Sequence, residues 1–225
     1  MNINLTNIYE SFFSHYGNPK WWPAKTPYEV IVGAVLTQNT NWNNVEKAIA
    51  NFGDKLSPEF ILEINYESLI EIIKPAGFFN QKSKYLKAVT NWYSKYNFSV
   101  ETVQKNELHK LRSELLAVNG IGKETADSIL LYAFGLPTFV VDAYTKRLLL
   151  RLPVELDNYN YDTIKKYFEI NLLKDTELYN NFHALIVINA KNYCKKILSC
   201  QTCKNCPLEF LCEKNKNADY GVSEK

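Results

Sequence analysis

The chain has 225 residues, among them 15 Tyr, 12 Phe and 4 Trp, with a formal net charge of +2 at pH 7. That length buries a real core in one domain or two small lobes, and the well-mixed, aromatic-rich composition excludes a disordered chain. No apolar stretch approaches the roughly 20 residues of a membrane span. The start, Met1-Asn2-Ile3-Asn4-Leu5, has no cationic region followed by an apolar run, so the expectation is an intracellular, cytoplasmic protein with no membrane partner. A near-neutral charge neither demands nor excludes nucleic acid, because phosphate contacts act where the Lys and Arg stand. Local clusters occur at Lys82, Lys84 and Lys87, at Lys146, Arg147 and Arg151, and at Lys191, Lys195 and Lys196. Each by itself reads first as a solvated helix face.

The periodicity is helical nearly throughout. Leu5, Ile8, Tyr9, Phe12 and Phe13 form an amphipathic stripe. After Gly17, Pro19 and Pro23, the segment Thr26-Pro27-Tyr28-Glu29 predicts a helix start, with a capping Thr, Pro in the first turn and Glu completing the box. Ile31, Val32, Val35 and Leu36 continue that helix on a face broad enough to be central. Val45, Ala48, Ile49 and Phe52 mark the next helix, and Ser57-Pro58 opens a short one. Leu69, Ile72 and Ile73 precede a break at Pro75 and Gly77. A long helix is predicted from about 81 to 96, and a stripe of Leu108, Leu111, Leu115 and Leu116 stops at Asn119-Gly120-Ile121-Gly122. Ala126, Ile129, Leu130 and Ala133 begin another helix, which Gly135 and Pro137 end. Helices near 143–151, 162–173 and 177–196 follow, and the polar residues from about 213 are expected to fray. With no strict alternation anywhere, the fold class is all-α.

Three signals carry chemistry. Gly120-Ile121-Gly122 between two helices permits a tight turn with positive φ and a close backbone approach to another molecule. The helix that starts there directs free N–H groups outward, suiting a phosphate, although a bare helical corner has the same pattern. Asp142 follows the apolar run Phe139-Val140-Val141 at a helix start. It reads as an N-cap, and a carboxylate kept ionised there also suits an oxocarbenium-like sugar transition state. Finally, all five cysteines lie between Cys194 and Cys212, a spacing that points to a metal site in an intracellular chain. Cys203, Cys206 and Cys212 give C-x2-C-x5-C, and Cys200 with Cys203 gives a second C-x2-C. Four thiolates suit a [4Fe–4S] cluster or zinc alike.

The segment Val118-Asn119-Gly120-Ile121-Gly122-Lys123-Glu124-Thr125-Ala126, followed by Val141-Asp142, resembles the helix-hairpin-helix and catalytic Asp of the endonuclease III superfamily of DNA glycosylases. Leu36-Thr37-Gln38-Asn39-Thr40 resembles that family's loop carrying a Gln that fills the hole left by a flipped nucleotide. Gly77-Phe78-Phe79-Asn80-Gln81-Lys82 resembles the segment whose apolar residue wedges into the duplex. The resemblance runs from about 21 to 212. It implies a two-lobed helical fold, with a barrel over 25–137 and a cluster-bearing lobe from 1–24 plus 138–225. It assigns catalysis to Asp142, the plug to Gln38, the wedge to Phe78, and further DNA contacts to Lys82, Gly120, Gly122 and Lys123. It implies a [4Fe–4S] cluster on Cys194, Cys203, Cys206 and Cys212, although Cys194 lies two residues upstream of the family's usual six-residue gap and Cys200 competes with it. Zinc is the alternative cofactor. The implied partner is double-stranded DNA containing a damaged base, met by a monomer associated with the nucleoid.

Departures narrow the activity. Where bifunctional members carry a Schiff-base Lys, this chain has Glu124. Lys123 is one residue away, rotated by roughly 100° on a helix. A monofunctional glycosylase using water is therefore expected. Asn119 replaces the family's usual Pro. Trp21-Trp22-Pro23 and Thr40-Asn41-Trp42 closely resemble the 3-methyladenine DNA glycosylase branch typified in Helicobacter, which implies a base pocket of Trp21, Trp22 and Trp42. An aromatic surface gains about 1–2 kcal/mol of cation–π energy on a desolvated cationic purine. The best-known member of that branch lacks the cluster cysteines, which this chain has. Alternatives are a uracil-DNA glycosylase, a bifunctional glycosylase/lyase and a non-catalytic lesion-binding protein, the last disfavoured by Asp142.

Overall fold

The computed structural model describes residues 4–196 and 205–212, and all regular structure among them is helical. None of these helices is long and apolar enough to cross a membrane. Among the described residues the chain forms two compact units. One draws on Met1–Pro19, Val141–Leu173 and Asn181–Lys225, the other on Lys20–Val140 and Lys174–Asn180.

The larger unit is built on α2 (Pro27–Leu36). Thr26 Oγ1 accepts the Glu29 N–H at 3.1 Å and Pro27 sits in the first turn, where its missing N–H has no partner to lose. Tyr28 and every residue from Val30 to Leu36 are buried, which makes α2 the central helix. Next come α3 (Trp42–Ala50), α4 (Pro58–Glu63), α5 (Tyr66–Ile73), α6 (Phe79–Ser94), α7 (Val100–Gln104), α8 (Leu108–Leu116) and α9 (Lys123–Ser128). Asn41, Ser57, Asn65 and Ser99 each accept the N–H three residues on, so the starts of α3, α4, α5 and α7 are set locally. Val35, Leu36, Leu69, Ile73, Leu86, Leu111, Leu115 and Leu130 are among the residues that fill the core. The stripe of Ala126, Ile129, Leu130 and Ala133 does not form one plain helix. α9 passes into a π-helical turn, Ile129–Ala133, before Gly135 closes it at φ +62°.

The smaller unit contains α1 (Leu5–Tyr16), α10 (Ala143–Leu149), α11 (Tyr161–Asn171) and, from Asn181 onward, α12 (Thr176–Asn192). Asn4, Asp142 and Asn160 cap α1, α10 and α11. Phe182 is central, with ring centroids 5.6 Å from Phe168 and 6.3 Å from Phe12.

Three segments, 20–24, 138–140 and 174–180, fall elsewhere than the sequence suggests. Residues 20–24 join the larger unit because Trp22 lies over the backbone of Gly33 and 5.2 Å from Tyr132. Lys174–Asn180 joins it because Tyr179 meets Phe139 at 5.5 Å and Thr176 donates to the Gly135 carbonyl. Nor are the lysines of the first basic cluster all solvated. Lys87 Nζ donates to Ile61 O (2.9 Å) and Leu62 O (3.0 Å), carbonyls of α4 that lack helical partners.

Candidate active site

The hairpin joins α8 to α9 through Asn119–Gly122. Gly120 holds φ +81°, and a Cβ there would lie 2.1 Å from the ring of Tyr85 on α6. Glycine is thus required twice, by conformation and by contact. Gly122 differs: its φ is −86°, and a Cβ there would meet nothing within 4 Å. The positive φ that the Gly-Ile-Gly turn permits is therefore supplied by Gly120. Gly122, Lys123 and Glu124 are exposed. A part-buried ion pair ties the two helices, Arg112 Nε to Asp127 Oδ1 at 2.8 Å and Arg112 Nη2 to Oδ2 at 3.1 Å, with Thr138 Oγ1 donating to the same carboxylate.

Gln38 follows α2 and is half-buried. Its amide nitrogen donates to Gly120 O (2.9 Å) and Thr125 Oγ1 (3.0 Å), so the loop is moored to the hairpin. Phe78 is 61% exposed and left-handed, at φ +46° and ψ 31°, immediately before α6. An apolar ring held largely in water on an unfavourable backbone contributes little to packing, which is the kind of outlier that directs attention to function. Lys82 departs from expectation. It is only 1% exposed, and its ammonium is spent on protein oxygens, so it cannot meet phosphate as the resemblance implied.

Trp21, Trp22, Tyr132 and Asn180 line a cleft of about 270 Å³ with the start of α2. Trp21 Nε1, Trp22 Nε1 and Asn180 Oδ1 are buried without a hydrogen-bond partner among the described residues, a cost that native proteins carry only at a few sites. Trp42 is not in the cleft wall. It packs edge-on against Trp22 at 5.3 Å and donates from Nε1 to Glu46, so it supports Trp22 from outside. Tyr132 and Asn180 were not legible as site residues. Tyr132 is delivered by the π-helical turn, a feature with a recurrent association with function.

In the smaller unit Asp142 caps α10. Oδ1 accepts from Thr145 N (2.7 Å) and Thr145 Oγ1 (2.9 Å), while Oδ2 faces His183 Nε2 at 3.6 Å. Burial raises the Asp142 pKa, but the His183 imidazole facing Oδ2, with the two bonds from Thr145, outweighs it and holds the carboxyl below its ordinary range. The group is an ionised, oriented carboxylate with its side chain 12% exposed. His183 escaped sequence reasoning, although an imidazole inside the apolar run of α12 was a signal.

Cys194, Cys206 and Cys212 line a single small pocket with Leu148, Leu152 and Arg151. Arg151 Nη1 donates to Cys194 Sγ at 2.8 Å. Among the described residues no three His, Cys, Asp or Glu side chains are arranged as a metal-ligand set, and Cys200 and Cys203 lie outside the described residues. Three thiols facing one cavity are the right donors for a cluster or zinc.

An all-helical fold, a glycine hairpin and a capping, ionised aspartate define a helix-hairpin-helix DNA glycosylase. The chain belongs to the HhH-GPD superfamily of base excision DNA repair proteins, whose family model matches residues 32–171. It is 49% identical over 212 residues to a protein of Methanocaldococcus jannaschii provisionally named a DNA repair glycosylase, covering 92% of this chain and 95% of that one. It is 26% identical to the endonuclease III of Sulfolobus acidocaldarius, over 84% of this chain and 83% of the relative. Among solved structures it is similar to the H. pylori 3-methyladenine DNA glycosylase bound to 1,N6-ethenoadenine, with TM-score 0.73 and 31% identity, covering 84% of this chain and 98% of that one. An endonuclease III–DNA covalent intermediate shares the fold at TM-score 0.76 and 20% identity, over 96% and 98% of the two chains. The protein is a DNA N-glycosylase of base excision repair.

Proposed function

We propose that this enzyme is a monofunctional glycosylase that hydrolyses alkylated purines such as 3-methyladenine out of double-stranded DNA. The observation that carries the reading is the cleft of Trp21, Trp22 and Tyr132. Flat π surfaces favour an electron-poor cationic base over a neutral one, and the relative with 31% identity is a 3-methyladenine glycosylase. Glu124 supports hydrolysis: an exposed carboxylate in the first turn of α9 offers no amine for a Schiff base.

Asp142 stabilises the positive charge that develops on the sugar as the C1′–N bond breaks. The bonding pair leaves with the purine and neutralises its charge, so little acid catalysis is needed. Water then bonds to C1′ and its proton passes to the carboxylate. His183 and Thr145 hold Asp142 ionised for this step. Gln38 and Phe78 fill the space left by the extruded nucleotide, and Gly120, Gly122 and Lys123 bring the hairpin to the phosphates. Cys194, Cys203, Cys206 and Cys212 would hold a [4Fe–4S] cluster, which when bound supplies a rigid cross-link to the C-terminal segment.

Asp142→Asn preserves shape and still caps α10. Single-turnover release of 3-methyladenine should slow at least about a hundredfold, with binding of lesion DNA retained and thermal stability lowered only by the modest contribution of the ionised carboxylate. Borohydride should trap no covalent complex on abasic DNA. Wild-type release by Asp142→Asn rejects the mechanism, and release of uracil without release of alkylated purine rejects the substrate.

A further inference from the structure

Gln38 and Phe78 lie on segments well separated in sequence, yet one buried ammonium joins those segments. Lys82 Nζ donates to Leu36 O (2.8 Å), Thr40 Oγ1 (3.0 Å) and Ala76 O (2.8 Å). An ammonium has three protons, and each has its acceptor. Thr40 Oγ1 also donates to Ala76 O, which closes the network. Leu36 ends α2 and Ala76 ends the 3-10 turn Lys74–Ala76, so both carbonyls stand where a helical segment leaves them without a helical partner. Gln38 sits between Leu36 and Thr40, and Phe78 is two residues beyond Ala76. The two loops therefore hang on one post, whose Nζ also lies 5.9 Å from the centroid of the Phe78 ring.

The chemistry of the post is unusual. No carboxylate pairs with Lys82 among the described residues, and burial pushes it down to about 8. A charge held only by oriented dipoles is geometrically demanding, because those dipoles favour it only in one arrangement. Loss of the ammonium takes the donor from Leu36 O and leaves the Thr40–Ala76 hydrogen bond as the remaining polar link of the network, so the two loops should be held less tightly rather than collapse.

We propose that Lys82 is a positioning residue for opening the duplex, locking the Gln38 loop to the Phe78 turn so that both enter the helix as one piece. The inference rests on the assignment of Gln38 and Phe78 to the gap. The test uses full-length K82M, which keeps the length of the side chain and removes the donors. Single-turnover release of 3-methyladenine is measured from a fully paired duplex and from the same lesion in an unpaired bulge, beside thermal stability. K82M should lose about tenfold or more on paired DNA and under about threefold on the bulge. The double variant K82M/F78A should be no slower on paired DNA than the slower single variant, within about twofold, because both act on one event. A folded K82M that slows equally on both substrates, or on neither, overturns the inference. F78A at the wild-type rate on paired DNA overturns the wedge reading and this inference with it, whereas a slow F78A beside an unselective K82M overturns the inference alone. Where K82M does not fold, T40V, which removes one leg of the tripod, is read in the same way, and equal rates on the two substrates relative to wild type overturn the proposal.

Discussion

Asp142 stands between opposed influences, and their balance has a sign. Burial disfavours its charge, while His183 and Thr145 favour it and prevail. A carboxyl whose folded pKa lies below its unfolded value, about 3.9, adds stability above that value and loses it as pH falls through the folded pKa. The same ionised form is the one proposed to act, so base release should stay level down to about pH 4 and fall only below it. A rate profile whose acid limb centres at or above pH 5 contradicts this. The hairpin glycines make a second, paired expectation. Gly120→Ala adds a Cβ into the Tyr85 ring at a positive φ and should destabilise by about 1–3 kcal/mol. Gly122→Ala meets nothing and should melt like the wild type, yet bind DNA more weakly if the backbone there approaches phosphate. Thermal melts and a salt-controlled binding titration separate the two.

Among the elements, the α8–α9 hairpin depends on the pair of Arg112 and Asp127, whose carboxylate is wholly buried. Asp127→Ala removes a buried carboxylate that accepts from Arg112 and Thr138 and should cost about 3–5 kcal/mol in denaturant unfolding; a loss under about 1 kcal/mol would show that water replaces the carboxylate. How far the elements were legible follows from where their determinants lie. Thr26-Pro27-Glu29, Ser57-Pro58 and Asp142 set helix starts through neighbours within three residues, so sequence alone exposed them. The π-helical turn at Ile129–Ala133 was hidden, because its apolar residues keep an ordinary helical spacing. Lys82 and Lys87 were misread as solvated or phosphate-facing because their acceptors are backbone carbonyls, which carry no letter. Tyr132 and Asn180 join Trp21 and Trp22 only through tertiary packing.

For the molecule as a whole, the cysteine segment offers a direct measurement. Purified enzyme should be yellow-brown with about four iron atoms per chain, the content of one [4Fe–4S] cluster. Cys194→Ser should bleach it and Cys200→Ser should not; stoichiometric zinc without iron would reverse the cofactor assignment, and the opposite pattern of bleaching the ligand assignment. Phe78 bears on the stability of the whole chain in another way. Its left-handed backbone costs on the order of 1–3 kcal/mol, and its largely exposed ring returns little to the free protein beyond the approach of Lys82 Nζ. Glycine would relieve that strain at once. A directed-evolution screen for heat resistance alone should thus favour Phe78→Gly and yield hardier, poorer repair enzymes, so that thermostability and repair select opposite residues at a single codon.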